Sequence, residues 1–231
     1  MKFPRYGYAD AADLQDRLVS EKLGVEHLKL ILGTSMGGMH AWVWATKRPD
    51  FMDAVIPIAC QPAPITGRNL LWRRIIVNSI KSDPAWSGGN YEKQPHGWTS
   101  MRPVFRLLID SPENLELAAP DIEKADNWVA ITMADAEKSV DANDLLYALD
   151  SSRDYNPIGD LDKVKARVTA INCSDDELNP AELGIMEREM ARVKGGRLVM
   201  IQAAPKSKAH QNLGQASMWK QYVGETMAAA R

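Results

Sequence analysis

The sequence predicts an α/β layer structure built on a parallel sheet and interrupted by a helical insertion. Three observations point there. Short, mostly apolar runs recur at Leu28 to Leu32, Ala54 to Ala59, Arg167 to Asn172 and Arg197 to Gln202, as strands covered on both faces require. Segments of helical spacing alternate with these runs, which implies parallel pairing through right-handed crossovers. Between the second and third runs lies a long stretch, Arg68 to about Ala148, with many Trp, Met and charged residues and no strand-like alternation.

Taken in order, Asp10 to Lys22 carries Leu14 and Leu18 four apart and stops before Gly24, the pattern of a helix with a glycine end. Leu28 to Leu32 is the first buried strand, followed at once by Gly33. Met36 to Lys47 reads as a helix because Gly37, Ala41, Trp44 and Ala45 recur at helical spacing before Arg48-Pro49 ends it. Ala54 to Ala59 is the second strand, and its Pro57 favours a place at a sheet edge because proline removes a ladder donor. The stretch from Arg68 reads as amphipathic helices broken at Asp83-Pro84, Gly88-Gly89, Pro95 and Pro120, a lid on the core. The third strand leads into the polar run Ser174 to Asn179 and a helix around Glu182 to Arg192; the fourth precedes a closing helix from about Gly214 to Ala230. The expected organisation is therefore 1–67 and 151–231 as two halves of one core, with 68–150 inserted between them.

Composition narrows the function. The chain has 231 residues, 45% of them hydrophobic and 25% charged, enough to bury a core without disulfide or metal staples. With 28 Lys+Arg against 30 Asp+Glu there is no basic excess to neutralise phosphates, so nucleic acid is not an expected partner. The apolar runs fall far short of the roughly 20 residues that span a bilayer, and no charged-then-apolar leader opens the chain. No membrane association is expected, and the expected location is the cytoplasm. Cys60 and Cys173 lack metal-ligand spacing and read as small buried hydrophobes at strand ends in a reduced compartment; no metal is expected.

Gly33-Thr34-Ser35-Met36-Gly37 matches G-x-S-x-G between a predicted strand and a predicted helix. A sharp turn there leaves little room beside the serine and lifts the Ser35 hydroxyl to the carboxyl edge of the sheet. It also sets the Met36 backbone N–H at a helix N-terminus, where it can stabilise an oxyanion. Three fixed positions arise by chance in about one chain of this length in twelve, so the strand-motif-helix context carries the inference. A serine hydroxyl needs an imidazole base held by an acid, expected in the chain order Ser, acid, His. Asp175, Asp176 and Glu177 follow the third strand, and His210 lies beyond the fourth. Both loops sit at carboxyl ends of strands, where functional groups converge in open α/β sheets. The bland reading of the acidic run is a solvated turn. Of the other histidines, His27 precedes a strand on the wrong edge, His40 projects away from the turn into a packed or surface role, and His96 falls in the insertion, where it could line a pocket.

The stretch Leu32 to Met39, followed by Trp42, Trp44-Ala45 and Arg48-Pro49-Asp50, resembles the nucleophile region of the homoserine O-acetyltransferase group of α/β-hydrolase proteins. Gly67-Arg68-Asn69, Asp83-Pro84-Ala85-Trp86, Gly89-Asn90-Tyr91, Asp141 to Asp144, Asp154 to Pro157 and Ile171 to Pro180 are similar to later landmarks of that group, so the resemblance runs along essentially the whole chain. It selects Asp176 over Asp175 as the acid, four residues before Pro180, and matches His210 to the family base. It implies acyl transfer through an ester of Ser35, or ester hydrolysis, with no bound cofactor; acetyl-CoA or another acyl donor arrives as substrate, and an alcohol or water accepts the acyl group.

Two departures from the family follow. Gln211 stands where homoserine acetyltransferases carry an acidic residue that helps hold the substrate amine, which favours a different acceptor. Arg68, Arg73 and Arg74 could pair with a substrate carboxylate, against the commoner reading as surface charges of a helix. Only 34 residues precede Ser35, so the strands and the oxyanion loop that family members place ahead of the nucleophile are expected to be lacking; one lost donor costs about 10² to 10³ in turnover. The first strand would then be an apolar edge prone to association, including homodimer formation. The alternative to an enzyme is a non-catalytic remnant or interaction module that keeps the fold; a lyase or haloperoxidase on the same scaffold is a third reading.

Overall fold

A computed structural model describes residues 3–230. Its elements in chain order are α1 (Tyr8–Arg17), β1 (Leu28–Thr34), α2 (Met36–Lys47), β2 (Met52–Ile58), α3 (Gly67–Ser82), α4 (His96–Thr99), α5 (Arg102–Leu107), α6 (Pro112–Ala118), α7 (Ile122–Ser139), α8 (Ala142–Asp150), β3 (Arg167–Cys173), α9 (Ile185–Met190), β4 (Arg197–Ile201) and α10 (Ala216–Ala229). The strands form one parallel sheet in the order β1-β2-β3-β4. Strand alternation sends Val55 and Val168 to one face, where they pack with Trp42 of α2 and with Met186 and Met190 of α9. Ile56, Ile58, Ile171 and Val199 face the other way, against Trp219, Tyr222 and Val223 of α10. The segment from α3 to α8 has an apolar core of its own around Trp72, Ile76, Ile80, Trp98 and Leu146, and Leu178 joins that core from the loop after β3. No helix among the described residues is long and apolar enough to cross a membrane.

Several sequence-based expectations change. The first helix starts at Tyr8, two residues early, because the Asp10 carboxylate accepts from Gly7 N–H and the Asp154 carboxylate accepts from Tyr8 and Ala9 N–H. Its buried face is Tyr8 and Ala12, while Leu14 and Leu18 are exposed. Leu18–Lys22 is a π-helical turn before Gly24, which takes a positive φ of 65° as a glycine stop should. β1 extends to Thr34 and, among the described residues, has a partner on one side only, as the expected apolar edge, while Leu28 and Ile31 pack on one face of the sheet and Leu30 on the other. Pro57 lies in a strand paired on both sides, not at an edge; the β2–β3 ladder skips from Val55↔Val168 to Ile58↔Ile171, and the missing proline N–H falls in that gap. The predicted helix over 182–192 is a short 3-10 turn and then α9, parted at Gly184 with φ 58°.

Candidate active site

Ser35 terminates β1 and precedes α2 with φ 50° and ψ −115°, a conformation that costs a non-glycine residue about 1–3 kcal/mol and persists only where neighbours impose it. Those neighbours are identifiable. Ser35 N–H donates to Ile58 O at 2.8 Å, tying the turn to β2, and Met39 N–H donates to Ser35 O at 3.0 Å, starting the helix. A methyl group on Gly33 would lie 2.1 Å from Gly37 O, so glycine is required there for strand and helix to meet. The other motif glycine, Gly37, has open space around its missing side chain, whereas Gly38 would drive a methyl to 2.6 Å from Cys60 Sγ. The spatial demand thus falls on Gly33 and Gly38, the second of which lies outside the motif. Met36 is the first residue of α2, so helix geometry leaves its N–H without an intrahelical acceptor.

The loops after β3 and β4 bring two further side chains to this turn. His210 Nε2 lies 2.9 Å from Ser35 Oγ, and His210 Nδ1 lies 2.8 Å from Asp176 Oδ2. His210 is 7% exposed and Asp176 1%, so the carboxylate is out of water and the imidazole beside it is held by protein contacts. Burial of a carboxylate is costly without hydrogen bonds. Asp176 has them: Oδ1 accepts from Leu178 N–H at 2.9 Å, and Oδ2 accepts from Asn179 Nδ2 at 2.8 Å. Asn179 also donates to Ala59 O at 3.1 Å, which fastens the acid loop to the end of β2. Asp175 instead accepts from Ser207 Oγ at 2.6 Å, away from the imidazole.

The histidine loop has its own brace. Asn212, 1% exposed, donates to Ser207 Oγ at 2.7 Å and accepts from Lys208 N–H at 2.8 Å, while Ser111 Oγ donates to Ser207 O from the helical segment. Ala209, directly before the histidine, and Ala59 both sit at positive φ, 47° and 54°, so the unusual backbone gathers around Ser35. Sequence reasoning missed Asn179, Ser207, Asn212 and these alanines; only the Asn179-Pro180 pair in the polar run offered a signal. Cys60 is fully buried behind the turn and burial pushes its thiol far up, while Cys173, also buried, is pushed up to about 11; both are free.

A cavity of about 340 Å³ opens at Ser35 and His210, floored by Met39 and walled by residues 61–69 and 178–185. Arg68 lines it and pairs with Glu177 at its rim; both are substantially exposed. Arg73 lines it too but is buried, not the surface charge its helix position predicts. Arg74 is exposed, pairs with Asp150 at 3.4 Å and does not line this cavity. Of the competing histidines, His27 pairs with Asp53 at 2.8 Å at the opposite end of the strands, and His40 packs edge-on against Tyr8. His96 is exposed and is not among the residues that line the cavity at Ser35.

Several known proteins resemble this chain in sequence and fold. The family model for the alpha/beta hydrolase fold matches residues 2–108. The homoserine O-acetyltransferase of Haemophilus influenzae (strain 86-028NP) is 30% identical over 198 residues, which cover 77% of this chain and 55% of that protein. A probable acyltransferase of Methanothermobacter thermautotrophicus is 25% identical over 185 residues, 78% of this chain and 55% of that protein. The chain thus spans about half the length of the curated relatives it matches. Among solved structures, homoserine O-acetyltransferase from Bacillus anthracis superposes with TM-score 0.86 at 20% identity, covering 98% of this chain and 66% of that one. The acetyl esterase MekB gives 0.82 at 22% identity, covering 98% and 69%. The chain therefore has the α/β-hydrolase fold and is similar in sequence to the homoserine O-acetyltransferases.

Proposed function

We propose that the chain transfers an acyl group through an ester of Ser35, from a thioester or ester donor to an alcohol or to water. One observation carries the reading: the hydrogen-bonded run Ser35 Oγ, His210 Nε2, His210 Nδ1, Asp176 Oδ2, at 2.9 and 2.8 Å, beside a cavity that can hold a small acyl compound. With Nδ1–H donated to the buried carboxylate, Nε2 carries the lone pair that accepts the Ser35 proton. Ser35 Oγ then bonds to the donor carbonyl, and the Met36 N–H is one donor to the oxyanion. Collapse breaks the bond to the leaving thiolate or alkoxide, which takes its proton from Nε2. The acceptor R–OH gives its proton to the same nitrogen, attacks the Ser35 ester and departs as R–O–acyl, restoring the serine hydroxyl. In this reading no resident cofactor takes part, and acetyl-CoA or a related thioester is a donor of the right chemistry; the printed name of the O-acetyltransferase relatives is in keeping with an acetyl donor.

The acceptor divides two forms of the reading. Gln211, where the resemblance expects an acidic residue, favours water or an alcohol other than homoserine. The test is to expose the protein to p-nitrophenyl acetate, quench it, and map the acetyl group. Acetylation of Ser35 that vanishes in Ser35→Ala is expected, and added alcohol that speeds turnover and appears as an O-acetyl product marks a transferase. Folded protein that never acquires the acetyl group would favour the non-catalytic remnant.

A further inference from the structure

The loop between β4 and His210 is strained on both sides of Ser207. Lys206 and Ala209, the latter directly before the histidine, sit at φ 76° and 47°, in a region that non-glycine residues keep only where neighbours impose it. Ser207 is 4% exposed and all of its polar groups are engaged. Its N–H donates to Ala204 O at 2.8 Å; its Oγ donates to Asp175 Oδ2 at 2.6 Å and accepts from Asn212 Nδ2 at 2.7 Å. Its carbonyl is reached from the helical segment, where Ser111 Oγ donates to Ser207 O at 2.6 Å. Ser111 is fully buried and itself fixed: it caps α6 by accepting from Asn114 N–H at 3.3 Å, and its own N–H donates to Asp110 Oδ1 at 3.0 Å. One hydroxyl thus joins a capped helix to a strained loop three residues before the base.

The acid is gripped from the same side. Leu178, whose N–H donates to Asp176 Oδ1 at 2.9 Å, buries its side chain in the core of the helical segment, and its carbonyl accepts from Asn69 Nδ2 of α3 at 3.1 Å. Acid and base are both fastened to the helical segment, whereas Ser35 is fastened to β2 through Ile58 O. Without the Ser111 hydroxyl, a buried carbonyl loses a donor and less opposes relaxation of the backbone at Ala209, which would carry the imidazole with it. We propose that Ser111 is a positioning residue: through the Ser207 carbonyl it holds His210 within reach of Ser35, so the helical segment sets the base as well as walling the cavity. The strut stands on these contacts; only its effect on turnover rests on the acyl-transfer reading.

Two measurements on the full chain test it. The first is long-range proton–nitrogen NMR of the histidine rings near pH 8, above the ordinary histidine pKa of about 6.5, with His210 assigned by its loss in His210→Gln. Carbon-bound ring protons report where the imidazole proton sits, without any chemistry at Ser35. The second is acetylation of Ser35 by p-nitrophenyl acetate, with the rate at saturation separated from the half-saturating concentration. In Ser111→Ala the His210 signals are expected to move away from the parent's Nδ1–H pattern. The saturated rate should fall about tenfold or more, with the half-saturating concentration changed less than about twofold, because a shift of about 1 Å costs up to 10² in rate. Ser111→Thr, which keeps the hydroxyl, should restore both. Asp121→Ala removes the N-cap of α7 in the same segment without touching Ser207 and should leave both at parent values. An unmoved His210 spectrum in Ser111→Ala overturns the strut whatever the rate does, and so does the same movement in Asp121→Ala. If Ser111→Ala does not fold, Ser111→Cys, with a weaker donor of similar size, takes its place with the same outcomes. A folded parent that never acetylates would strike the acyl-transfer reading and leave the ring spectrum to decide the strut. If the parent does acetylate, an undiminished rate in Ser111→Ala would overturn the strut.

Discussion

At the residue scale, the strained turn at Ser35 is sustained by the absence of two side chains. Because a methyl on Gly33 would meet Gly37 O at 2.1 Å, whereas one on Gly37 would meet nothing within 4 Å, the two motif glycines should respond oppositely to alanine. Gly33→Ala is expected to lose about 3 kcal/mol or more, or to prevent folding, since backbone cannot yield as a flexible side chain can. Gly37→Ala is expected within about 1 kcal/mol of the parent, helped by the better helix propensity of alanine. Urea unfolding of both variants checks the contrast, and equal losses would show that the turn is not limited by the Gly33 contact. The serine, the histidine and the acidic run were legible in the sequence from the motif and the order of loops. The choice of Asp176 over Asp175 was not legible from the residues themselves and came from the family resemblance; nothing local distinguishes two adjacent aspartates until the loop is folded. The same holds for Asn179, Asn212 and Ser207, whose value lies in contacts made across the chain.

At the element scale, α1 lies against α2 through Tyr8 and His40, whose rings meet edge-on at 4.5 Å. Burial holds the His40 imidazole below its ordinary pKa, with Asp154 pulling weakly the other way. The unfolded chain therefore binds a proton at His40 at a higher pH than the folded one. Stability from this contact is intact above the ordinary histidine pKa of about 6.5 and falls as pH drops below it. Melting curves from pH 7.5 to 5 should show a smaller acid-side loss for His40→Gln than for the parent; parallel losses would remove His40 from the account. Strand positions were legible because a buried parallel strand is an apolar run bounded by breakers. The buried face of α1 was not: Leu14 and Leu18 have the right spacing, but Tyr8 and Ala12 are the residues that meet α2, and spacing alone does not say which side the core is on. Likewise Pro57 argued for an edge, and the ladder accommodates it inside by skipping a pair.

At the scale of the whole molecule, the sheet has β1 at one side with Leu32 39% exposed, and a groove of about 400 Å³ runs along it beside Trp44. An apolar strand with unpaired backbone groups invites association. The 231-residue chain is expected to sediment as a concentration-dependent mixture of monomer and larger species, and Leu32→Lys to shift it towards monomer by about tenfold in concentration. Monomer throughout, in both proteins, would show that the edge is protected in solution. The layer structure and the helical segment were readable because the order of elements sets them, whereas the cavity that joins Ser35 to Arg73 depends on how that segment lies over the sheet, which no local pattern encodes. The central claim is that Ser35 is a nucleophile activated by His210 under Asp176. Intact-mass analysis after a fluorophosphonate tests it most directly. One adduct on Ser35 is expected, absent in Ser35→Ala and formed at least 100-fold more slowly in His210→Ala; undiminished labelling in His210→Ala, or none in the folded parent, would contradict it.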